Sequence, residues 1–278
     1  MNTPETANLA LFCDFENVAL GVRDARYAQF DISKVLERLL LKGSIVVKKA
    51  YCDWDRYKEF KAPMHHASFE LIEIPHVRQS GKNSADIRMV VDALDLCYTK
   101  AHVDTFVIIS GDSDFSPLVS KLRENNKTVI GVGVKNSTSD LLIANCDEFI
   151  YYDDLVREQK TRSAPRRKAE GRASGAASST KGAARLPAAP AAEEDPSQEA
   201  IELVRETYDA LVSERGAEEK IWGSMVKQAL KRRKPGFSEG YYGFSSFNKL
   251  LEQAQARHQL VLERDEKSGG YIVRAVQD

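Results

Sequence analysis

Residues 104–134, DTFVIISGDSDFSPLVSKLRENNKTVIGVGV, read as a strand, a turn rich in acidic residues, a helix and a second strand. FVII and VIGV are almost continuous apolar runs, the pattern of strands covered on both faces, and a helical crossover between two such runs joins parallel neighbours. The same alternation recurs on either side. Strand-like runs are NLALFCD (8–14), SIVVKKAYCD (44–53), ELIEIPHV (70–77) and EFIYYD (148–153). Helical patterns are DISKVLERLLLKG (31–43), DRYKEFKAPMHHASF (55–69), SADIRMVVDALDLCYTK (84–100) and the short STSDLLIAN (137–145). Residues 1–156 are therefore expected to form an α/β domain, a mostly parallel sheet with helices on both faces.

From 157 to 196 the composition turns to Ala, Gly, Ser, Pro and Arg, with almost no large apolar residue, so a disordered linker is expected there. Its basic half, with Arg162, Arg166, Arg167, Lys168 and Arg172, suits either solvation or weak attraction to phosphates. Residues 197–278 contain three helical stretches, at 197–214, 220–233 and 244–258, then two alternating runs around a charged Gly-Gly turn. Three helices followed by a hairpin are the ingredients of a small winged helix.

No run approaches the roughly 18 apolar residues needed to cross a bilayer, and MNTPETANLA lacks a signal-peptide pattern, so a cytoplasmic protein without membrane contact is expected. Cys13, Cys52, Cys97 and Cys146 form no C-x-x-C pair and sit in or beside apolar runs, as buried reduced thiols do. The adjacent His65 and His66 point apart on a helix and read as surface residues. The net charge of −1 hides an asymmetry: residues 1–156 hold 18 Lys+Arg against 23 Asp+Glu, and the remainder 22 against 18. A negative pocket with a positive appendage fits that division.

On the parallel-sheet reading, Asp14, Asp53 and Asp112 end strands, and Asp86 lies in the first turn of the helix after the third strand, with Ser84 as its N-cap. All four then share the carboxyl edge of the sheet, where open α/β folds bind ligands. Converging carboxylates repel, and a hard divalent cation with oxygen ligands relieves them, which points to Mg²⁺ or Mn²⁺ and to phosphodiester hydrolysis. The expected ligands are Asp14, Asp86, Asp112 and Asp114. Asp114 suits ligation, directly or through water, or capping of the helix that follows. Asn17 suits a phosphate oxygen or the orientation of a carboxylate. Asp92 lies about 160° around the helix from the stripe Ile87, Val90, Leu94 and Tyr98, and reads as solvated or supporting. Arg78, Lys82, Arg88 and Lys135 lie in or near loops at the same edge, where cations hold substrate phosphates.

In the C-terminal part, Ile221, Met225, Ala229 and Leu230 form an apolar face. Lys227, Lys231, Arg232, Arg233 and Lys234 crowd the other side and the helix exit. Beside exposed Tyr241 and Tyr242 this suits RNA, with cations on phosphates and aromatics on bases. The other reading is a protein-docking module whose tyrosines fill its own core.

LFCDFENV, AYCDW, GKNSADIRMVVDAL, SGDSDFSPLV and CDEFIYY, in this order, closely resemble the NYN domains of the LabA-like branch, within the PIN-like nuclease superfamily, over residues 8–153. The resemblance implies a Rossmannoid, metal-dependent ribonuclease fold with Asp14, Asp53, Asp86 and Asp112 as its acidic residues, and polar partners at Asn17, Asp92 and Asp114. RRKPGFSEGYYGFSSFNKLL resembles the LOTUS domain, or OST-type helix-turn-helix, which implies RNA binding or docking to a protein partner. The reading that follows is a metal-dependent endoribonuclease whose tethered C-terminal domain gathers RNA. Its rival is an RNA-binding regulator that holds metal without turnover. A small-molecule phosphatase is disfavoured, because DFEN has no Asp two residues after Asp14.

Overall fold

A computed structural model of the chain describes residues 7–74, 84–163, 196–215, 219–265 and 269–276. The order is β1 (Ala7–Asp14), α1 (Phe15–Asp24), α2 (Ile32–Leu40), β2 (Gly43–Cys52), α3 (Lys58–His66), β3 (Glu70–Glu73), α4 (Ser84–Thr99) and β4 (Thr105–Ile109). A 3₁₀ turn at Ser113–Phe115 leads into α5 (Ser116–Glu124), β5 (Thr128–Gly133), α6 (Asp140–Asn145), β6 (Glu148–Tyr151) and α7 (Tyr152–Ser163). The C-terminal unit comprises α8 (Pro196–Arg215), β7 (Ile221–Trp222), α9 (Gly223–Arg233), α10 (Phe247–Ala256), β8 (Val261–Arg264) and β9 (Tyr271–Arg274).

Six strands form one sheet in the order β3-β2-β1-β4-β5-β6, and every pair in it is parallel. The mixed α/β architecture, a six-stranded parallel sheet flanked by helices, is consistent with a PIN-like fold. Strand order reverses between β1 and β4, so a crevice opens at their carboxyl ends. Alternate residues of β1 feed the two cores. Leu9, Leu11 and Cys13 pack with α1, α2 and α3, while Ala10 and Phe12 pack with α4 and α5. All four cysteines are buried free thiols, as expected, and burial pushes the Cys13, Cys52 and Cys146 thiols up, so they stay protonated. His65 and His66 are exposed.

Several expected elements shift. α1 was not expected; it follows β1 without a turn because the Asp14 carboxylate accepts from Asn17 N and caps it, and Phe15, Val18 and Val22 then face the core. Only Glu70–Glu73 of the expected third strand is a strand, and Pro75 to Val77 lie outside the described residues. α7 runs to Ser163, past the expected start of the linker at 157, and residues 164–195 lie outside the described residues. The helix expected from Lys220 starts at Gly223, because Ile221 and Trp222 pair with β9 and complete a three-stranded antiparallel sheet, β7-β9-β8. In α9, Val226 and Leu230 are the buried side chains, while Met225 and Ala229 are half-buried.

The C-terminal unit rests against the β6 side of the large sheet. Phe149 N donates to Pro235 O at 3.0 Å, and Gly236 lies flat on the Tyr151 ring, where an added Cβ would sit 2.7 Å from its hydroxyl. Glu148 accepts from Lys42 at 2.7 Å and pairs with Lys231 at 3.5 Å, so one carboxylate ties both units. The C-terminal unit thus touches the sheet domain directly along β6. Among the described residues no helix is long and apolar enough to cross a membrane.

Candidate active site

Asp14 ends β1 and is only 7% exposed. Ser110 Oγ donates to its Oδ2 at 2.9 Å, and Asn17 N approaches its Oδ1 at 3.5 Å. Ser110 Oγ in turn accepts from Asp112 N at 3.2 Å, and Asp112 Oδ1 accepts from Asp114 N at 2.9 Å. This chain of bonds draws the SGDSD turn after β4 over the end of β1. Asn17 closes the junction from the other side, its Oδ1 accepting from Gly111 N at 2.8 Å. The Asn17 side chain therefore positions the acidic turn. Gly111 has to be glycine, since a Cβ there would lie 2.4 Å from Ser137 O.

Electrostatics shows which carboxylates meet. Burial, then the Asp86 charge, then that of Asp112, raise Asp14 to about 7, against the Ser110 and Asn17 hydrogen bonds that lower it. Burial, then Asp112, Asp114 and Glu16, raise Asp86 to about 6. Asp14, Asp86, Asp112 and Asp114 thus share one field at the sheet's switch point. Asp112 caps the 3₁₀ turn, and Asp114 is exposed in its first turn. Glu16, which the sequence reading left out, adds to the field from the first turn of α1 and is braced by Arg56 at 3.4 Å. Its signal was the unrecognised helix α1, since a residue two past a strand-end acid stays at the same edge.

The remaining expected residues make other contacts. Asp53 follows β2 on the same edge, and its Oδ1 accepts from Asp55 N at 3.2 Å and closes a local turn. Asp92 is a correction to the solvated reading. The buried stripe of α4 is Met89, Ala93 and Cys97, with Ile87 and Tyr98 63% and 65% exposed. That rotation turns Asp92 onto the sheet, where its carboxylate accepts from Tyr51 at 2.9 Å and Lys49 at 3.3 Å and pairs with Arg88 at 3.1 Å. Arg88 is thereby committed to Asp92. Arg78 and Lys82 lie outside the described residues. Lys135 follows β5 at the carboxyl edge, its ammonium 3.4 Å from the centre of the Tyr241 ring. Lys227 pairs with Glu239 at 2.7 Å and Lys231 with Glu148, whereas Arg232, Arg233 and Lys234 are exposed. Tyr241 and Tyr242 are half-buried rather than exposed, and Tyr242 stacks on Phe237 within the C-terminal core.

The donor set at the switch point is all oxygen, which suits a hard divalent ion. Among the described residues no three His, Cys, Asp or Glu side chains form a ready-made cage. Such an ion can be held by one or two carboxylates with waters completing its sphere, which these residues could supply.

Residues 8–153 match the NYN domain family. The chain belongs to that family. NYN domains are counted among the PIN-like nuclease families. Among curated proteins this NYN chain is 25% identical over 150 residues to meiosis regulator and mRNA stability factor 1 of Xenopus tropicalis, 54% of this chain but 9% of that protein. The Bos taurus protein of the same name is 24% identical over 150 residues, 54% of this chain and 8% of its own length. An uncharacterized protein of Methanocaldococcus jannaschii is 31% identical over 116 residues, 40% of this chain and 43% of that one. The NYN chain thus spans less than half the length of each of these relatives. A crystal structure of a protein of unknown function from Vibrio parahaemolyticus is 28% identical, with a TM-score of 0.49, over 56% of this chain and 98% of that one.

Proposed function

We propose that this NYN domain is a divalent-metal-dependent endoribonuclease and that its C-terminal unit is a LOTUS-type domain that binds RNA. The observation that carries the reading is the shared field of Asp14, Asp86, Asp112 and Asp114 at the switch point, strong enough to lift two carboxyls towards neutrality. Mg²⁺ or Mn²⁺ held there would lower the pKa of a bound water and neutralise charge building on the phosphorus. Asp14, Asp86 and Asp112 would hold the ion, with Asp114 reaching it directly or through water. Asp14 is fixed by Ser110 and Asn17, so its carboxylate does not swing away. Low solvent access around Asp14 strengthens each of these interactions. Folding of the C-terminal unit into three helices and a small antiparallel sheet, with a basic α9 exit, supports the LOTUS and RNA-binding reading.

Purified full-length protein is incubated with mixed RNA, with and without Mn²⁺, beside Asp112→Asn. Metal-dependent cutting by the wild type, lost in the variant, is the expected result. Equal cutting by both would sink the assignment. The rival, an RNA-binding regulator that holds metal without turnover, predicts RNA binding with no cutting at any metal concentration.

A further inference from the structure

Docking of the C-terminal unit on the β6 side creates a cleft of about 510 Å³, a size suited to a small-molecule or nucleotide ligand. Both units line it: Lys135, Asp140 and Tyr151 on one side, Arg233, Lys234 and Tyr241 on the other. The Lys135 ammonium sits on the Tyr241 ring rather than on a carboxylate. Arg233 is steadied by a 3.2 Å bond from Nη1 to Thr207 Oγ1, and Lys234 is exposed at the end of α9. Cations beside tyrosine rings are the chemistry that grips a single nucleic-acid strand, phosphate on the cations and base on the rings. Asp140 and Glu199 also face the cleft, and Glu199 already accepts from the Tyr242 hydroxyl at 3.3 Å. Carboxylates in such a place accept from the amino groups of a base edge, so they belong with a nucleotide rather than with a bare phosphate.

One segment of chain joins the cleft to the acidic turn. Lys135 begins the short segment after β5, and its N donates to Asp153 at 2.8 Å. Four residues on, Ser139 N donates to Gly111 O at 2.9 Å, while Ser137 O lies against the face of Gly111. The segment 135–139 therefore spans from the cleft to the turn that carries Asp112. β4 and β6 are two strands apart in the sheet, about 10 Å. An RNA strand covers that distance in a few nucleotides.

We propose that this cleft is a nucleotide subsite for single-stranded RNA, which seats one nucleotide while the neighbouring phosphodiesters lie along the acidic edge. Its binding role stands on the cleft itself, and what the strand meets at the edge rests on the ribonuclease reading. The C-terminal unit is then one wall of the RNA path, at a fixed distance from the acidic centre.

Binding of a short fluorescein-labelled single-stranded RNA to the full chain is measured by anisotropy in EDTA, across a salt series. Lys135→Ala and Lys234→Ala should each weaken Kd by about tenfold and reduce the salt slope by about 0.7, one phosphate's worth on a single strand. Lys249→Ala, on a lysine committed to Glu252, should change neither. Thermal melts of each variant verify folding, and Lys135→Arg, which keeps the charge, should restore binding if Lys135→Ala lowers it by loss of charge alone. Variants that bind within twofold of the wild type with an unchanged slope overturn the subsite, as does a wild type that does not bind. Cleavage in Mn²⁺ separates the two ideas. Normal cutting with unaffected variants leaves the ribonuclease reading standing alone, whereas lost binding beside a wild type that cuts nothing leaves the subsite standing alone.

Discussion

Replacing Asp14 by Asn tests whether the acidic edge is a store of unrelieved repulsion. In the native chain this carboxyl is raised to about 7, first by burial and then by the Asp86 and Asp112 charges. The unfolded chain releases its proton near pH 4. Between those values the native state binds a proton that the unfolded state has lost, so stability is full below about pH 4 and falls as pH rises through 7. From pH 5 to pH 8 about two units of that window are crossed at about 1.4 kcal/mol each, an upper limit near 3 kcal/mol for a group this buried. Local relaxation brings the expected loss to about 1–3 kcal/mol. Asn cannot ionise, and its amide oxygen still accepts from Ser110, so the variant loses only the weak 3.5 Å contact from Asn17 N. Urea unfolding in EDTA at pH 5 and pH 8 reads the difference through the midpoint. The wild type should lose stability across the interval, and Asp14→Asn should lose less by about that amount. Identical pH slopes in the two proteins would refute the argument.

Mg²⁺ or Mn²⁺ at pH 8 should raise the wild-type melting temperature in proportion to RT ln(1 + [L]/Kd) and leave an Asp86→Asn plus Asp112→Asn protein unmoved; equal shifts would place the ion elsewhere. Asp112→Asn should lower RNA cleavage by at least about a hundredfold while apo stability is equal or higher, as read by gel assay and urea midpoint. Gly111→Ala should displace the acidic turn through the 2.4 Å approach of its Cβ to Ser137 O, cutting cleavage more than tenfold; near-normal rates would show that the turn yields without cost. Asp92→Asn should cost about 1–2 kcal/mol, by weakening its contacts with Lys49, Tyr51 and Arg88, and change cleavage less than twofold; a large cleavage defect would return Asp92 to the chemistry.

The alternation of apolar runs and helical patterns sufficed for the parallel sheet, because strands covered on both faces have little choice of composition. Asp14, Asp86 and Asp112 could be placed at one edge for the same reason, since strand ends and helix starts carry direction as well as position. α1 escaped notice because its apolar stripe, Phe15, Val18 and Val22, is short, and Gly21 within it lowers helix propensity. Gly21 is there for contact: a Cβ would lie 2.4 Å from Ser137 Oγ, so its bare surface lets α1 press on the loop after β5. Glu16 was lost with that helix. Asp92 was misread because α4 offers two apolar stripes. Ile87 with Tyr98 and Met89 with Cys97 look alike in one dimension, and only packing against β1 and β2 selects between them. The docking of the C-terminal unit left no periodic mark at all, since it rests on a carbonyl at Pro235, a flat Gly236 and a shared Glu148.

The bond from Phe149 N to Pro235 O has a bearing on how the chain behaves in solution. β6 is one of the two edge strands of the large sheet, and an unpaired parallel edge is a template on which another chain can grow by strand addition. Pro235 supplies an acceptor yet, having no N–H, cannot carry the ladder further, and Gly236 then covers the Tyr151 ring. The second unit in this way acts as a stopper that ends the sheet without extending it. A fragment cut off after α7 would present that strand bare, so its self-association must be separated from any change in RNA affinity before the two units' contributions are compared.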